Sequence, residues 1–226
     1  MSIEIKISLN KGLYKKDPQD SKLGRKIIQY SIILIDKHGF ECFNFKKLAE
    51  TIDSTEASIY RYFENKHLLL TFIVNWYLEW VNYLIKINTM NVNDPKKKLK
   101  IIINSFVSAS KENPSVSYVN ESILHNIVIA EAGKVYHTKK VDSENSKGFF
   151  SSYKALATTT SNVISEICPD FKYPYSLATN LFEMSNNHIY FAKHLPQLTD
   201  ISVQEDDVNE VERMLNYFSQ KLLYSS

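Results

Sequence analysis

Backbone punctuation is scarce in this chain: 5 glycines and 6 prolines occur among 226 residues, where average usage would put one or the other at about 12% of positions. Sandwiches, barrels and doubly wound sheets need a Gly or Pro turn about every ten residues. The scarcity therefore points to an all-α fold. Gly12, Gly24, Gly39, Gly133 and Gly148 are too dispersed to form a G-x-G-x-x-G or Walker-type loop, whose backbone must closely approach a phosphate. Nucleotide enzymes built on such loops are disfavoured. With 44% hydrophobic and 23% charged residues, the chain has an ordinary globular composition and enough apolar surface for a sizeable core.

Helical periodicity sets the organisation. Residues 1–20 read as a flexible N-terminal tail: Ile3, Ile5, Ile7 and Leu9 alternate with polar neighbours, a strand too short to hold without a partner. Ile27, Ile28, Ser31, Leu34 and Ile35 then mark one face of a helix stopping at Gly39, which suits a left-handed C-terminal position. Asn44 can cap a second helix that buries Phe45, Leu48, Ala49 and Ile52. Thr55 can cap a third with Ile59, Tyr62 and Phe63 inward. Two short helices joined by about three residues, behind a longer supporting helix, form a helix-turn-helix.

The fourth helix starts near Lys66 and is apolar except for a stripe of Asn75, Glu79, Asn82 and Lys86. One polar stripe identifies a core helix of a bundle, and Glu79 at its midpoint would be costly in lipid; no membrane partner is expected. Asp94 and Pro95 open a fifth helix that ends before Pro114, and Val119, Ile123 and Ile127 mark a sixth. Residues 133–147 lack a period and read as a loop. A long helix runs from Phe149 to Ile167. In the last two, Leu177, Leu181, Met184, His188, Phe191 and Leu195, then Val208, Val211, Leu215, Phe218 and Leu222, recur at three-four spacing. Such a seam either closes the chain's own core or forms a four-helix bundle with a second subunit, and spacing favours neither. Of these residues, Leu181, Met184, His188, Phe191, Leu215 and Phe218 are the dimer-interface candidates. About nine helices are expected.

Residues 39–66, GFECFNFKKLAETIDSTEASIYRYFENK, resemble the DNA-binding domain of TetR-family transcriptional regulators. Gly39 and Phe40 match the end of that family's first helix, and Leu48 and Ala49 match its isoleucine-alanine pair. Thr55 matches the cap of the recognition helix, and Ile59, Tyr60, Tyr62, Phe63 and Lys66 match its closing motif. The resemblance covers about sixty residues. It implies a helix-turn-helix domain over 21–66, joined through the long fourth helix to an effector-binding and dimerisation domain over 67–226. It further implies a homodimeric repressor on a palindromic duplex operator. The DNA-binding candidates are Asn44, Lys46, Thr55, Glu56, Ala57, Ser58, Tyr60, Arg61 and Lys66, with positions 56–58 facing bases and Lys66 binding phosphate. Short side chains at Thr55, Ala57 and Ser58 suit entry into a major groove about 12 Å wide. The implied pocket gives Trp76, Trp80, Tyr83, Phe106, His125, Phe149 and Phe150 as candidates for binding a small apolar or aromatic effector.

Two departures from the family stand out. Asp53 occupies a position where the family has glycine, although Asp tolerates a left-handed turn better than most residues. From Asn44 to His67 the cations Lys46, Lys47, Arg61 and Lys66 are cancelled by Glu50, Asp53, Glu56 and Glu64, which lowers non-specific affinity for DNA. Glu56 either accepts from cytosine N4 or stabilises its own helix N-terminus, and acidic first-turn residues favour the second role. The cancelled charge motivates an alternative reading, a helical ligand-binding or interaction protein with a weakened or lost DNA-binding function.

Residues 1–70 carry 12 Lys or Arg against 9 Asp or Glu, a net of +3, so the positive excess lies at the front. Lys96, Lys97, Lys98 and Lys100 read as a solvated helix face. The histidines show no zinc spacing, no nucleophile-base-acid order is present, and neither metal, cofactor nor catalytic residue is expected. Cys42 and Cys168 lie far apart and the opening MSIEIKISLN is too charged for a signal peptide, which together suit a cytoplasmic protein.

Overall fold

The computed structural model describes residues 5–111, 118–202 and 209–224. Among the described residues there are eleven α-helices and no strand: α1 Lys22–Cys42, α2 Phe45–Thr51, α3 Glu56–Tyr60, α4 Lys66–Thr89, α5 Pro95–Ser108, α6 Glu121–Glu131, α7 Gly133–Tyr136, α8 Val141–Ser146, α9 Ser151–Ile167, α10 Pro174–His194 and α11 Asn209–Tyr224. Ile3, Pro114 and Val208, which entered the sequence reading, lie outside the described residues. The chain divides into two compact units, one of residues 1–80 with 110–152 and one of 81–109 with 153–226. Compactness thus divides the chain differently from the functional division expected at residue 66.

The helix starts expected at the caps Asn44, Thr55 and Asp94 hold, and the sixth helix begins at Glu121, past the Val119 expected to mark it. Ser21, Asn44, Thr55, Asp94 and Asn120 each accept a backbone N–H in the first turn of the helix that follows, satisfying donors that the helix leaves open. Pro95 and Pro174 occupy first-turn positions, where the missing N–H has no intrahelical partner to lose. The expected loop over 133–147 instead holds α7 and α8. Four and six residues are too few to show a period, and tertiary contacts fix them: Val135 is buried, and the buried Glu144 meets His67 Nε2 at 3.0 Å.

The tail expected to fray is packed from Ile5 onward. Ile7, Leu9 and Leu13 are buried, the last completely. The Gln19 side-chain amide takes the place of a neighbouring strand: it accepts from the Ile7 N–H at 3.1 Å and donates to the Ile7 carbonyl at 2.7 Å. Tyr118 Oη donates to the same Gln19 oxygen at 3.0 Å. An extended segment whose Ile7 backbone groups are satisfied and whose Ile7 and Leu9 side chains are buried has no reason to fray.

Helix α4 is long and apolar enough to cross a membrane by composition, yet 72% of that stretch is buried within the protein. Its polar stripe reaches solvent only partly, for Asn75 is buried and donates to the Thr71 carbonyl at 2.8 Å. In the second unit α5, α10 and α11 pack on one another. There Leu181 and Leu215 are completely buried within the unit, while Phe218 and Leu222 are exposed. The inward face of α11 is Val211, Leu215, Ser219 and Leu223, so the expected three-four seam mixes two faces of that helix. Lys96 lies 4.5 Å from the Tyr224 ring centroid and Lys98 3.5 Å from the Glu166 carboxylate.

Gly24 shows how closely the N-terminal segment is held. A Cβ at this position would lie 2.2 Å from the Pro18 carbonyl oxygen, a backbone atom that cannot swing aside. Gly24→Ala is expected to lower unfolding free energy by about 1–3 kcal/mol through overpacking, measured by urea titration, and to expose residues 5–20 to limited proteolysis. Full stability in the alanine variant would show that the segment yields without loss.

Candidate nucleic-acid interface

The turn between α2 and α3 is a complete helix-ending motif. The Ser54 N–H reaches the Ala49 carbonyl at 2.9 Å and the Asp53 N–H the Glu50 carbonyl at 3.5 Å, the two bonds of a Schellman ending. That motif requires a left-handed residue at Asp53, which has φ 52°. The turn expected from the family therefore forms with Asp in place of glycine.

Helix α3 then presents the pattern that the sequence calls for. Ile59, with Tyr62 and Phe63 just beyond the helix, is buried. Thr55, Glu56, Ala57, Tyr60 and Arg61 are exposed and Ser58 half-exposed. Thr55 Oγ1 accepts from the Ser58 N–H at 3.2 Å and lies 3.0 Å from Ser58 Oγ, so the first turn is already ordered. Tyr60 packs edge-on against Phe45 with centroids 5.1 Å apart, which sets its ring beside α2. Asn44 is spent on capping, accepting from the Lys47 N–H at 2.9 Å. Lys46 is exposed.

Lys66 departs from its expected role. Its ammonium donates to the carbonyls of Phe40 at 3.1 Å, Glu41 at 3.2 Å and Phe43 at 3.1 Å, and it lies 4.7 Å from the Phe40 ring centroid. An ammonium has three donors. All three are used on carbonyls at the end of α1, so in this structure Lys66 clamps the helix end and holds no donor toward a phosphate. The same helix end carries a break at Gly39, φ 75° and ψ 156°, which deprives the Phe40 N–H of its helical acceptor. Glu131 of α6 supplies one at 3.0 Å. Lys134 Nζ joins Glu131 at 2.7 Å and Glu41 at 3.1 Å. The Glu131 carboxylate beside it holds the Lys134 ammonium above the ordinary lysine range. Sequence reasoning missed Glu131; its only local signal is the lysine three residues on.

The effector candidates divide between the units. Trp76, Trp80, His125, Phe149 and Phe150 fall in the first, Tyr83 and Phe106 in the second. Trp76 and Trp80 are buried and stack with centroids 6.2 Å apart. Tyr77, which the aromatic spacing passed over, stacks on His125 at 5.4 Å and 15°. The Trp76 indole N–H and the Tyr77 hydroxyl are buried without hydrogen-bond partners among the described residues. Burial pushes the Tyr77 pKa far above its ordinary value, so the group stays neutral. Phe149 lies against Gly12, Phe150 packs on Tyr136, and Phe106 packs on Phe182. Of the interface candidates, Met184, His188 and Phe191 are half-exposed, and His188 Nδ1 meets Thr199 Oγ1 at 2.8 Å.

No protein-family model matches the chain, and no curated protein matches its sequence. Solved structures match its fold. AibR, crystallised with isovaleryl coenzyme A and operator DNA, aligns with a TM-score of 0.58 at 15% identity over 88% of this chain and 98% of its own. FadR of Bacillus halodurans, a fatty acid degradation regulator, aligns with a TM-score of 0.60 at 16% identity over 88% and 94%. The superantigen PfiT aligns with 0.57 at 13% identity over 89% and 96%. These similarities establish a shared helical fold. The neighbours carry different roles, so function must be argued from the site.

Lys66→Met is expected to lower unfolding free energy by about 1–2 kcal/mol, since it removes the ammonium donor from the Glu41 and Phe43 carbonyls, while the Phe40 carbonyl keeps the Phe43 N–H. Urea titration checks this. The salt dependence of DNA binding by the folded variant should match the wild type. A slope reduced by about one for each bound protomer, with stability unchanged, would return Lys66 to the phosphate backbone.

Proposed function

We propose that this protein is a TetR-like transcriptional regulator, a homodimeric cytoplasmic repressor that leaves a palindromic operator when a small effector binds. The observation that carries the reading is the α2–α3 pair itself, with its Schellman turn at Asp53, its capped and ordered first turn at Thr55, and small side chains at exposed Ala57 and half-exposed Ser58. This is the geometry that a major groove admits. AibR, which shares the fold, is seen with operator DNA and an acyl thioester, and that supports an effector of apolar character here. Exposed Tyr217, Phe218 and Leu222 on α11 support self-association. Nothing in the described side chains favours a catalytic reading.

Effector-dependent release has a physical route within the first unit. Helix α6 bears His125 against Tyr77 and Glu131 against the Phe40 N–H. Six residues, or about 9 Å of helix, separate the two. A ligand that engages the buried donors of Trp76 and Tyr77 and shifts α6 would alter support for the end of α1, behind the helix-turn-helix. Release requires that the ligand bind one arrangement better than the other.

Selection of bound genomic fragments tests the reading. Salt-sensitive retention of two-fold-symmetric sequences is the expected result, and no retention at any salt concentration would defeat it. Exposed Glu56 opposes the phosphates, so Glu56→Gln is expected to tighten binding to unrelated duplexes generally; loss confined to sites with one particular base would show direct readout. Thermal-shift titration with acyl thioesters and aromatic acids is expected to reveal a stabilising ligand whose effect is weakened by Tyr77→Phe.

A further inference from the structure

The helix-turn-helix is poorly supplied with cations. Four acidic residues, Glu50, Asp53, Glu56 and Glu64, are exposed on it. Of its four basic residues Lys66 is wholly engaged with carbonyls, and Lys47 Nζ spends one donor on the Cys42 carbonyl at 2.9 Å. A groove-reading surface of this charge would approach a duplex against repulsion unless cations stand beside it.

The N-terminal segment brings them there. The Lys15 N–H donates to the Tyr62 carbonyl at 2.8 Å, just past the end of α3. Lys16 Nζ lies 5.5 Å from the Tyr62 ring centroid, and Ser21 Oγ meets Tyr62 Oη at 2.7 Å. Lys15 and Lys16 thereby stand beside Tyr62, Lys22 follows the Ser21 that meets its hydroxyl, and all three lysines are exposed, as is Arg61. The acidic residues of the segment do not neutralise them, because Lys6 Nζ holds Asp17 at 3.1 Å and Asp20 at 2.5 Å. Among the described residues Lys15, Lys16 and Lys22 make no ion pair. Lys22 also stands at the first position of α1, whose first turn contains no acidic residue. The helix dipole disfavours a cation there, and a local rule broken without local gain marks a functional surface.

We propose that Lys15, Lys16 and Lys22 form a phosphate-binding rail for duplex DNA, flanking the residues of α3 that read the groove. The inference rests on the DNA-binding reading above and adds the surface that supplies its affinity. The segment is held by backbone bonds, by Gln19 and by the completely buried Leu13, so the lysines are presented by an ordered chain and little ordering entropy opposes binding. Phosphate contacts fix register and strength but carry no sequence information. The rail therefore contributes equally on operator and unrelated DNA.

The test uses the full chain with K15Q, K16Q and K22Q combined, and a mixed-sequence duplex of about thirty base pairs titrated over about 25–200 mM KCl. These substitutions leave the anchoring backbone bonds and Gln19 in place, and an unchanged or slightly raised melting temperature confirms folding. The slope of log K against log salt is expected to fall by about two to three for each bound protomer, about five for the proposed dimer, with the ratio of selected-site to mixed-sequence affinity unchanged. K97Q with K100Q, which removes exposed charge from α5, is expected to leave the slope as in the wild type. A wild-type slope in the triple variant, or an equal fall in the α5 variant, overturns the rail while DNA binding stands. A wild-type protein without salt-sensitive retention overturns the DNA-binding reading, and the rail with it.

Discussion

The end of α1 is the place on which the first unit depends. A helix normally leaves its last carbonyls open, and here the break at Gly39 opens the Phe40 N–H as well. Two side chains from distant parts of the chain close both sets: Lys66 takes three carbonyls and Glu131 takes the N–H. The chain between α1 and α2 is thereby fixed from both sides, which sets where α2 begins and hence where α3 is presented. A lysine at a helix C-terminus also meets the negative end of the dipole, so the clamp is favourable electrostatically as well as by hydrogen bonding. The Glu131 carboxylate, nearly buried, is tolerable because the Phe40 N–H and the Lys134 ammonium share its charge.

What could be read in the sequence was local. Asn44 and Thr55 announce their helices because a capping side chain acts within three residues of itself, and Asp53 announces a left-handed turn because few other residues bear one. The inward faces of α2 and α3 follow from spacing alone. Interactions that join remote segments were not legible. Nothing near Lys66 states that three carbonyls lie within its reach, and nothing near Gln19 states that its amide will pair with the Ile7 backbone. Helix α8 is a similar case, for its sequence is polar after Val141 and its position rests on Glu144 meeting His67, 77 residues away. The seam of α11 failed for another reason: Phe218 and Leu222 share a period with Leu215 yet lie off the buried face, since apolar spacing does not say which of two adjoining stripes a neighbour will cover.

On the proposed DNA-binding reading, the distribution of charge separates two tasks, attraction of the duplex and readout of its bases. If the reading helix carried the cations, it would hold every duplex strongly, and discrimination would depend on small differences between large affinities. Here the exposed part of α3 is uncharged at Ala57 and Ser58 and acidic at Glu56, so wrong sequences meet repulsion with little to offset it. Cations on a separate, rigid segment restore overall attraction without touching the bases. The buried anchors Leu13 and Gln19 then matter to function as well as to stability, because they set the distance between the attracting lysines and the reading helix. On that reading, the ordering of residues 5–20, which composition alone would assign to solvent, becomes a condition for a charge-neutral helix-turn-helix to hold a duplex.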